Sequence, residues 1–217
     1  MSLQRLVEQL LPVGTPYGEP SAADASVRLP LPPRTRKSAI LALITDEEQP
    51  CLLFTERATT LRAHAGQISF PGGRIDPSDR DAEEAALREA REEIALDPRR
   101  VSVLGRLPAT PLIRAFNATV VVGAWDGRQE LVPSPAEVAQ ILCYPVERLA
   151  SAEVRASAPH PRGEGPAFVL EDMVIWGFTA HLTDRILELG GWSREWDRRK
   201  VIRVPERFMR EGRPRPS

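Results

Sequence analysis

The chain has 217 residues, enough for one domain with a substantial core, and its 42% apolar and 27% charged content is ordinary globular composition. A formal net charge of −1 argues against a general nucleic-acid binder, and no apolar run approaches the ~20 residues of a membrane span. Lys37 and Lys200 are the only lysines, so any cationic site must be built from arginine, whose planar fork suits bidentate phosphate contacts.

Residues 2–11 form an amphipathic, charged segment that predicts a short helix and not a signal peptide. Residues 12–36, rich in Pro, Gly, Ser and Ala, read as an extended arm. Residues 38–45 and 51–57 are apolar and β-favouring, and 46–50 has turn chemistry, which predicts a hairpin. Residues 58–80 lack a regular period and hold Gly66, Gly72, Gly73 and Pro77, the pattern of a long functional loop. A helix is predicted from Asp81 to about Leu96, with Asp81 and Glu84 at capping-box spacing and Leu87, Ala90 and Ile94 on its core face. Strands are expected at 101–107, 117–125 and 140–144, a helical turn at 145–150, a variable loop at 152–166 and a last helix at 174–189 that ends near Gly190 and Gly191. This order predicts an α+β fold, an α/β/α sandwich around a mixed β-sheet. The organisation expected is an N-terminal helix and arm (1–36), a main domain (37–192) and an Arg-rich tail (193–217). Cys51 and Cys143 lie in apolar runs and read as buried free thiols, which together with the missing signal peptide fits a reducing cytoplasm.

The chemistry concentrates on the 81–96 helix. Glu89, Glu92 and Glu93, at i, i+3 and i+4, fall within a ~100° arc. Clustered carboxylates repel unless solvent or a cation answers them, and hard oxygen donors suit Mg²⁺ or Mn²⁺. An acid-rich exposed helix face neutralised by Arg88 and Arg91 is the plainer reading of the triplet alone. The upstream Gly72-Gly73 pair adds a second component, since glycine lets backbone approach an ion or a phosphate closely.

With that loop included, the segment resembles the Nudix box: Gly, five residues, Glu, seven residues, then Arg-Glu-apolar-x-Glu-Glu-x-Gly-apolar. Gly73, Arg88, Glu89, Ala90, Glu92, Glu93 and Leu96 take the matching positions. Ala95 stands where the box has Gly, and the loop is one residue longer, so either Asp76 or Asp79 is the acid that pairs with Arg88. Residues 53–73 also resemble a second signature, that of the coenzyme A pyrophosphatases. It runs Leu53-Phe54-Thr55-Glu56-Arg57-Ala58, then Arg62, Gly66 and Phe70-Pro71-Gly72-Gly73 at the expected intervals.

The resemblance implies Mg²⁺ (or Mn²⁺) held by Glu89, Glu92 and Glu93 with the Gly73 carbonyl, and Arg88 orienting the carboxylates. It implies substrate contacts from Arg57, Arg62, Gly66, Gly72 and Gly73. Glu137 sits where Nudix enzymes sometimes place a catalytic acid, and the general base stays open among it and the three glutamates. The implied reaction is hydrolysis of the diphosphate of coenzyme A or an acyl derivative, giving 4′-phosphopantetheine, or its acyl form, and adenosine 3′,5′-bisphosphate. Two alternatives stand beside it: another nucleoside diphosphate derivative such as ADP-ribose, NADH or a dinucleotide polyphosphate, or a nucleotide-binding module without turnover. Nudix proteins often pair, so a homodimer is compatible with the resemblance, but no segment decides it. Among smaller signals, His64 lies in the signature loop, and Trp176 and Phe178 read as core and not as an adenine platform.

Overall fold

The computed structural model describes residues 3–14, 37–61, 63–160 and 163–209. Most of the expected arm (15–36), Arg62 and the end of the tail (210–217) lie outside these residues. The first helix, α1, spans Leu3–Gln9. Strands β1 (Ser38–Thr45) and β2 (Cys51–Arg57) are the predicted antiparallel hairpin, in register at Ile44 and Leu52. The expected loop 58–80 contains two short strands, β3 (Ile68–Ser69) and β4 (Gly72–Arg74). Helix α2 (Ala82–Ile94) follows, then β5 (Val101–Arg106), a short helix α3 (Pro111–Ala115) and β6 (Ala118–Trp125). Strand β7 (Val138–Pro145) leads into α4 (Val146–Ala150).

The large sheet runs β3-β2-β1-β6-β5, with β4 pairing the first residues of β1 and β7 pairing β2. It is mixed, because β1 and β6 are parallel while the other pairs are antiparallel. Helices cover both faces, which is why β1 and β6 are apolar along nearly their whole length and do not alternate. On one face Leu41, Leu43, Leu53 and Val121 meet the Ala85, Ala86, Ala90 and Ile94 side of α2. Alanines there let the helix lie close to the sheet. On the other face Ala42, Ile44, Phe54 and Val122 meet Leu6 of α1, Leu149 of α4 and the last helix. The expected α/β/α sandwich with a mixed sheet is the fold observed.

Two expectations for the second half are corrected. Residues 152–166 are not a variable loop: β8 (Arg155–His160) and β9 (Gly163–Leu170) form a hairpin, and β10 (Met173–Ile175) completes a second, three-stranded sheet. The strands are hard to read because their inward positions, Ala156, Ala158 and Ala167, are small and carry little β-propensity. The last helix, α5, therefore starts at Gly177 and runs to Leu189, after β10 and not within it. Both cysteines are free, as expected, but Cys143 is exposed on β7 and Cys51 is only half-buried.

Beyond Gly191 the chain packs back on this small sheet. Val201 bridges Ser157 in parallel, and Val204 and Phe208 join Ala156, Ala158, Ala167 and Val174 in a third apolar cluster. Among the described residues, no helix is long and apolar enough to cross a membrane.

Candidate active site

Helix α2 carries the acids, and its start is well specified. Asp81 is the N-cap, its Oδ1 accepting from Glu84 N–H at 2.8 Å. Glu84 returns a bond to the Arg80 N–H and not to that of Asp81, so the reciprocal half of the box is shifted by one residue. The helix ends at Ala95, which lies in the left-handed region with φ 55° and donates to the Arg91 carbonyl. The box has glycine here because this conformation costs other residues ~1 kcal/mol or more.

The three glutamates do not share one environment. Glu92 is exposed, Glu89 is mostly covered and Glu93 is buried, only 4% exposed. The acidic arc is thus rotated from the expected one: Glu93 lies on the packed side of α2, and Leu87 is only partly covered. The Gly72 N–H donates to Glu93 Oε2 at 3.2 Å. Burial pushes the Glu93 carboxyl up to about 7, against the Gly72 bond and Arg57, with Glu137 and Glu89 adding repulsion. Burial likewise raises Glu89, opposed by Arg88, while Glu92 and Glu137 reinforce the rise. These couplings put Glu93, Glu89, Glu137 and Arg57 in one electrostatic neighbourhood.

The glycines are explained by contact. A Cβ on Gly72 would meet the Ala39 carbonyl at 2.5 Å, with φ at +153°. A Cβ on Gly73 would meet the Glu89 carboxylate at 2.4 Å. The pair lets β4 lie on β1 while pressing against the acid helix.

Arg88 organises the acids. Its Nε and Nη2 reach Asp79 at 2.9 and 3.0 Å, Nη2 also reaches the Arg74 carbonyl at 2.9 Å, and Nη1 reaches Glu89 at 3.0 Å and Glu92 at 3.3 Å. Asp76 stands 3.8 Å away. In the lengthened loop, Asp79 is therefore the partner of Arg88. The hydrogen bond from Arg88 holds the Asp79 carboxyl below its ordinary value.

Arg57 ends β2, where a bulge breaks the pairing with β7. Its buried Nε has no hydrogen-bond partner among the described residues. Ala58 N–H bonds the Glu137 carbonyl at 2.8 Å, which ties the β7 approach to the Arg57 loop. Gly66 closes that loop with φ +73°, its N–H bonded to the Arg57 carbonyl, and a Cβ there would sit 3.1 Å from the backbone of Arg207. The Arg207 contact was not legible, since nothing in the sequence ties residue 207 to residue 66. His64 bonds Gln67 on the same loop at 3.0 Å. Arg62 lies outside the described residues. Trp176 packs against the third apolar cluster, whereas Phe178 stacks on Phe116, ring centroids 4.2 Å apart, with Phe116 exposed.

Among the described residues, no three Asp, Glu, His or Cys side chains already stand as a metal cage. Arg88 Nη1 lies between Glu89 and Glu92 instead. The donor set nevertheless fits a hard divalent cation: a buried carboxylate whose burial a cation would offset, two further carboxylates on the same helix and a glycine backbone against one of them.

The chain is similar to proteins already known. The NUDIX domain family model matches residues 35–162. The uncharacterised Nudix hydrolase NudL of Citrobacter koseri is 37% identical over 164 residues, covering 71% of this chain and 83% of that protein. The counterpart of Cronobacter sakazakii is 37% identical over 160 residues, with the same coverage. Among solved structures, the Mycobacterium smegmatis Nudix hydrolase RenU aligns with a TM-score of 0.49 at 17% identity, covering 76% of this chain and 91% of that one. The family match and the identity over most of these relatives' length show that the chain belongs to the Nudix family and is a Nudix hydrolase.

Proposed function

We propose that this Nudix hydrolase cleaves the diphosphate of coenzyme A or an acyl-coenzyme A, releasing 4′-phosphopantetheine, or its acyl form, and adenosine 3′,5′-bisphosphate. The observation that carries the reading is Arg57. Its guanidinium stands in the field of Glu93, yet its buried Nε has no hydrogen-bond partner among the described residues, which supports a role in holding an anionic ligand at the acid cluster. The signature through 53–73, which contains Arg57 and Arg62, supports coenzyme A over other nucleoside diphosphates.

Glu89, Glu92 and Glu93, with the Gly73 carbonyl, would hold Mg²⁺ or Mn²⁺. When bound, such an ion neutralises phosphate charge and makes a coordinated water more acidic. Arg88 keeps Glu89 and Glu92 in one orientation through its grip on Asp79. Arg57, with Arg62 as its proposed companion, draws phosphate oxygens toward the acids and offsets charge that grows on them as water attacks. The exposure of Glu137 and its electrostatic coupling to Glu89 and Glu93 support a role for it as a proton acceptor beside the acid cluster. A substrate panel tests the choice: kcat/KM for coenzyme A at least tenfold above those for ADP-ribose, NADH and diadenosine tetraphosphate is expected. A preference for any of these others would overturn the assignment.

A further inference from the structure

A cavity of about 330 Å³ opens on the α5 side of the large sheet, between the start of α3, the first turn of α5 and the β8–β9 hairpin. Its lining includes Thr110, Leu112, Pro159, Glu164, Pro166 and His181. Apolar walls with a few polar groups at this size are the usual make-up of a small-molecule site. Gly177 also lines it, and a Cβ there would meet nothing within 4 Å, so the cavity is open at the helix start.

Two chains of contact connect this cavity to the acid cluster. Two residues after Gly177, the Thr179 hydroxyl donates to the Ile68 carbonyl at 3.0 Å. Ile68 is on β3, which pairs with Glu56 beside Arg57. On the other side, Leu107, three residues before Thr110, donates to Val120, and Val120 is in register with Ile40 and Ile40 with Gly72. The row from Leu107 to Gly72 is three strand spacings wide, about 14 Å, and the three residues from Leu107 to Thr110 add at most about 10 Å. The cavity therefore lies within reach of a substrate whose diphosphate sits at Arg57 and Gly72.

The lining chemistry selects which part of a substrate enters. Among the described lining residues there is no Lys or Arg, and Glu164 is acidic, so a phosphate is disfavoured. Among the described lining residues there is no Phe, Tyr or Trp face for a base to stack on. Thr110 Oγ1 and His181 Nε2, 3.4 Å apart, and the Glu164 carboxylate supply donors and acceptors for amides along an otherwise apolar chain.

We infer that this cavity is the subsite for the neutral, amide-bearing pantetheine arm, which when extended is long enough to cover the span. The assignment rests on the coenzyme A reading above. It makes Thr110, Leu112, Glu164 and His181 determinants of specificity, apart from the machinery that cleaves the diphosphate.

Two experiments with the full chain test it. Leu112→Trp fills the cavity from the half-buried face of α3. KM for coenzyme A should rise at least tenfold with kcat within threefold of wild type, while the Ki of adenosine 3′,5′-bisphosphate, which lacks the arm, stays within twofold. An unchanged KM, or KM and Ki rising together, overturns the assignment. Independently, wild-type protein is irradiated with coenzyme A carrying a benzophenone on its thiol, and the labelled peptides are mapped. Label on residues 110–112 or 158–166 is expected; label confined to other segments overturns it even if the tryptophan variant does not fold. Wild-type protein that leaves coenzyme A intact overturns the parent reading and this one together, whereas hydrolysis without the expected label or KM change overturns this one alone.

Discussion

Arg88 grips Asp79 with two parallel hydrogen bonds, Nε to Oδ1 at 2.9 Å and Nη2 to Oδ2 at 3.0 Å, and the Asp79 side chain is only 3% exposed. The pair anchors the loop before α2 to the helix, and it leaves Nη1 to hold Glu89 and Glu92. Asp79→Asn should cost about 1–3 kcal/mol of stability, the range for losing a charged hydrogen bond from a covered site. It should also lower turnover at least tenfold. Asp76→Asn, whose contact to Arg88 is 3.8 Å long and half exposed, should change stability by less than about 0.5 kcal/mol. Urea denaturation and steady-state assays of the two variants check this; equal effects would remove the distinction.

Glu93→Gln should reduce kcat at least a hundredfold with the fold retained. The substitution removes the charge but keeps the shape and the acceptor for the Gly72 N–H. Without added metal the variant should be no less stable than wild type at pH 8, because it deletes a charge whose burial outweighs its contacts with the Gly72 N–H and Arg57. Circular dichroism melts and initial rates decide the matter; near-wild-type turnover would remove Glu93 from the metal site.

Glu83 and Arg106 form a buried ion pair, 5% and 7% exposed, that fastens α2 to β5. Burial opposes ionisation of Glu83, but Arg106 and the Gly14 N–H outweigh it and hold the carboxyl below its ordinary 4.5. For an acid with a lowered folded value, the stabilisation is present above the unfolded value and is lost as pH falls through the lowered one. Glu83→Gln should therefore cost about 3–5 kcal/mol at pH 7, since Arg106 is left buried without its counter-charge. The gap from wild type should shrink below pH 4. Denaturation at pH 7 and pH 3 measures it, and a pH-independent gap would contradict the account.

Ala95 adopts φ 55°, ψ 26° at the α2 C-cap, where the family pattern has glycine. Ala95→Gly should raise stability by about 1 kcal/mol, because glycine enters this region without steric cost. The thermal midpoint should rise by about 2–4 °C for a domain of this size. A lower midpoint would show that neighbouring contacts outweigh backbone strain.

How much of this was legible depended on whether the signal was local. Helix α2, its Asp81 cap and the hairpin before it follow from periodicity and capping residues close in the chain, and the structure has them where they were expected. Its acids were legible as a set, but not the burial of Glu93. That burial depends on β4 lying across β1 through Gly72, which pairs with Ile40, 32 residues earlier. The ambiguity between Asp76 and Asp79 was a matter of loop shape, which spacing alone leaves open. The β8–β9 hairpin escaped because its core positions are alanines, which carry too little hydrophobic contrast to mark a strand. Helix α3, five residues long, is a single turn started by Thr110 and Pro111, and it is too short to show a period. The packing of residues 201–208 on the small sheet rests on Val204 and Phe208, two apolar residues in an arginine-rich stretch.

The most direct test of the central claim is incubation of the purified chain with coenzyme A and Mg²⁺, with the products identified by mass spectrometry. Adenosine 3′,5′-bisphosphate and 4′-phosphopantetheine in equal amounts, both abolished by EDTA and by Glu93→Gln, are the predicted result. Intact coenzyme A after incubation with either Mg²⁺ or Mn²⁺ would contradict it.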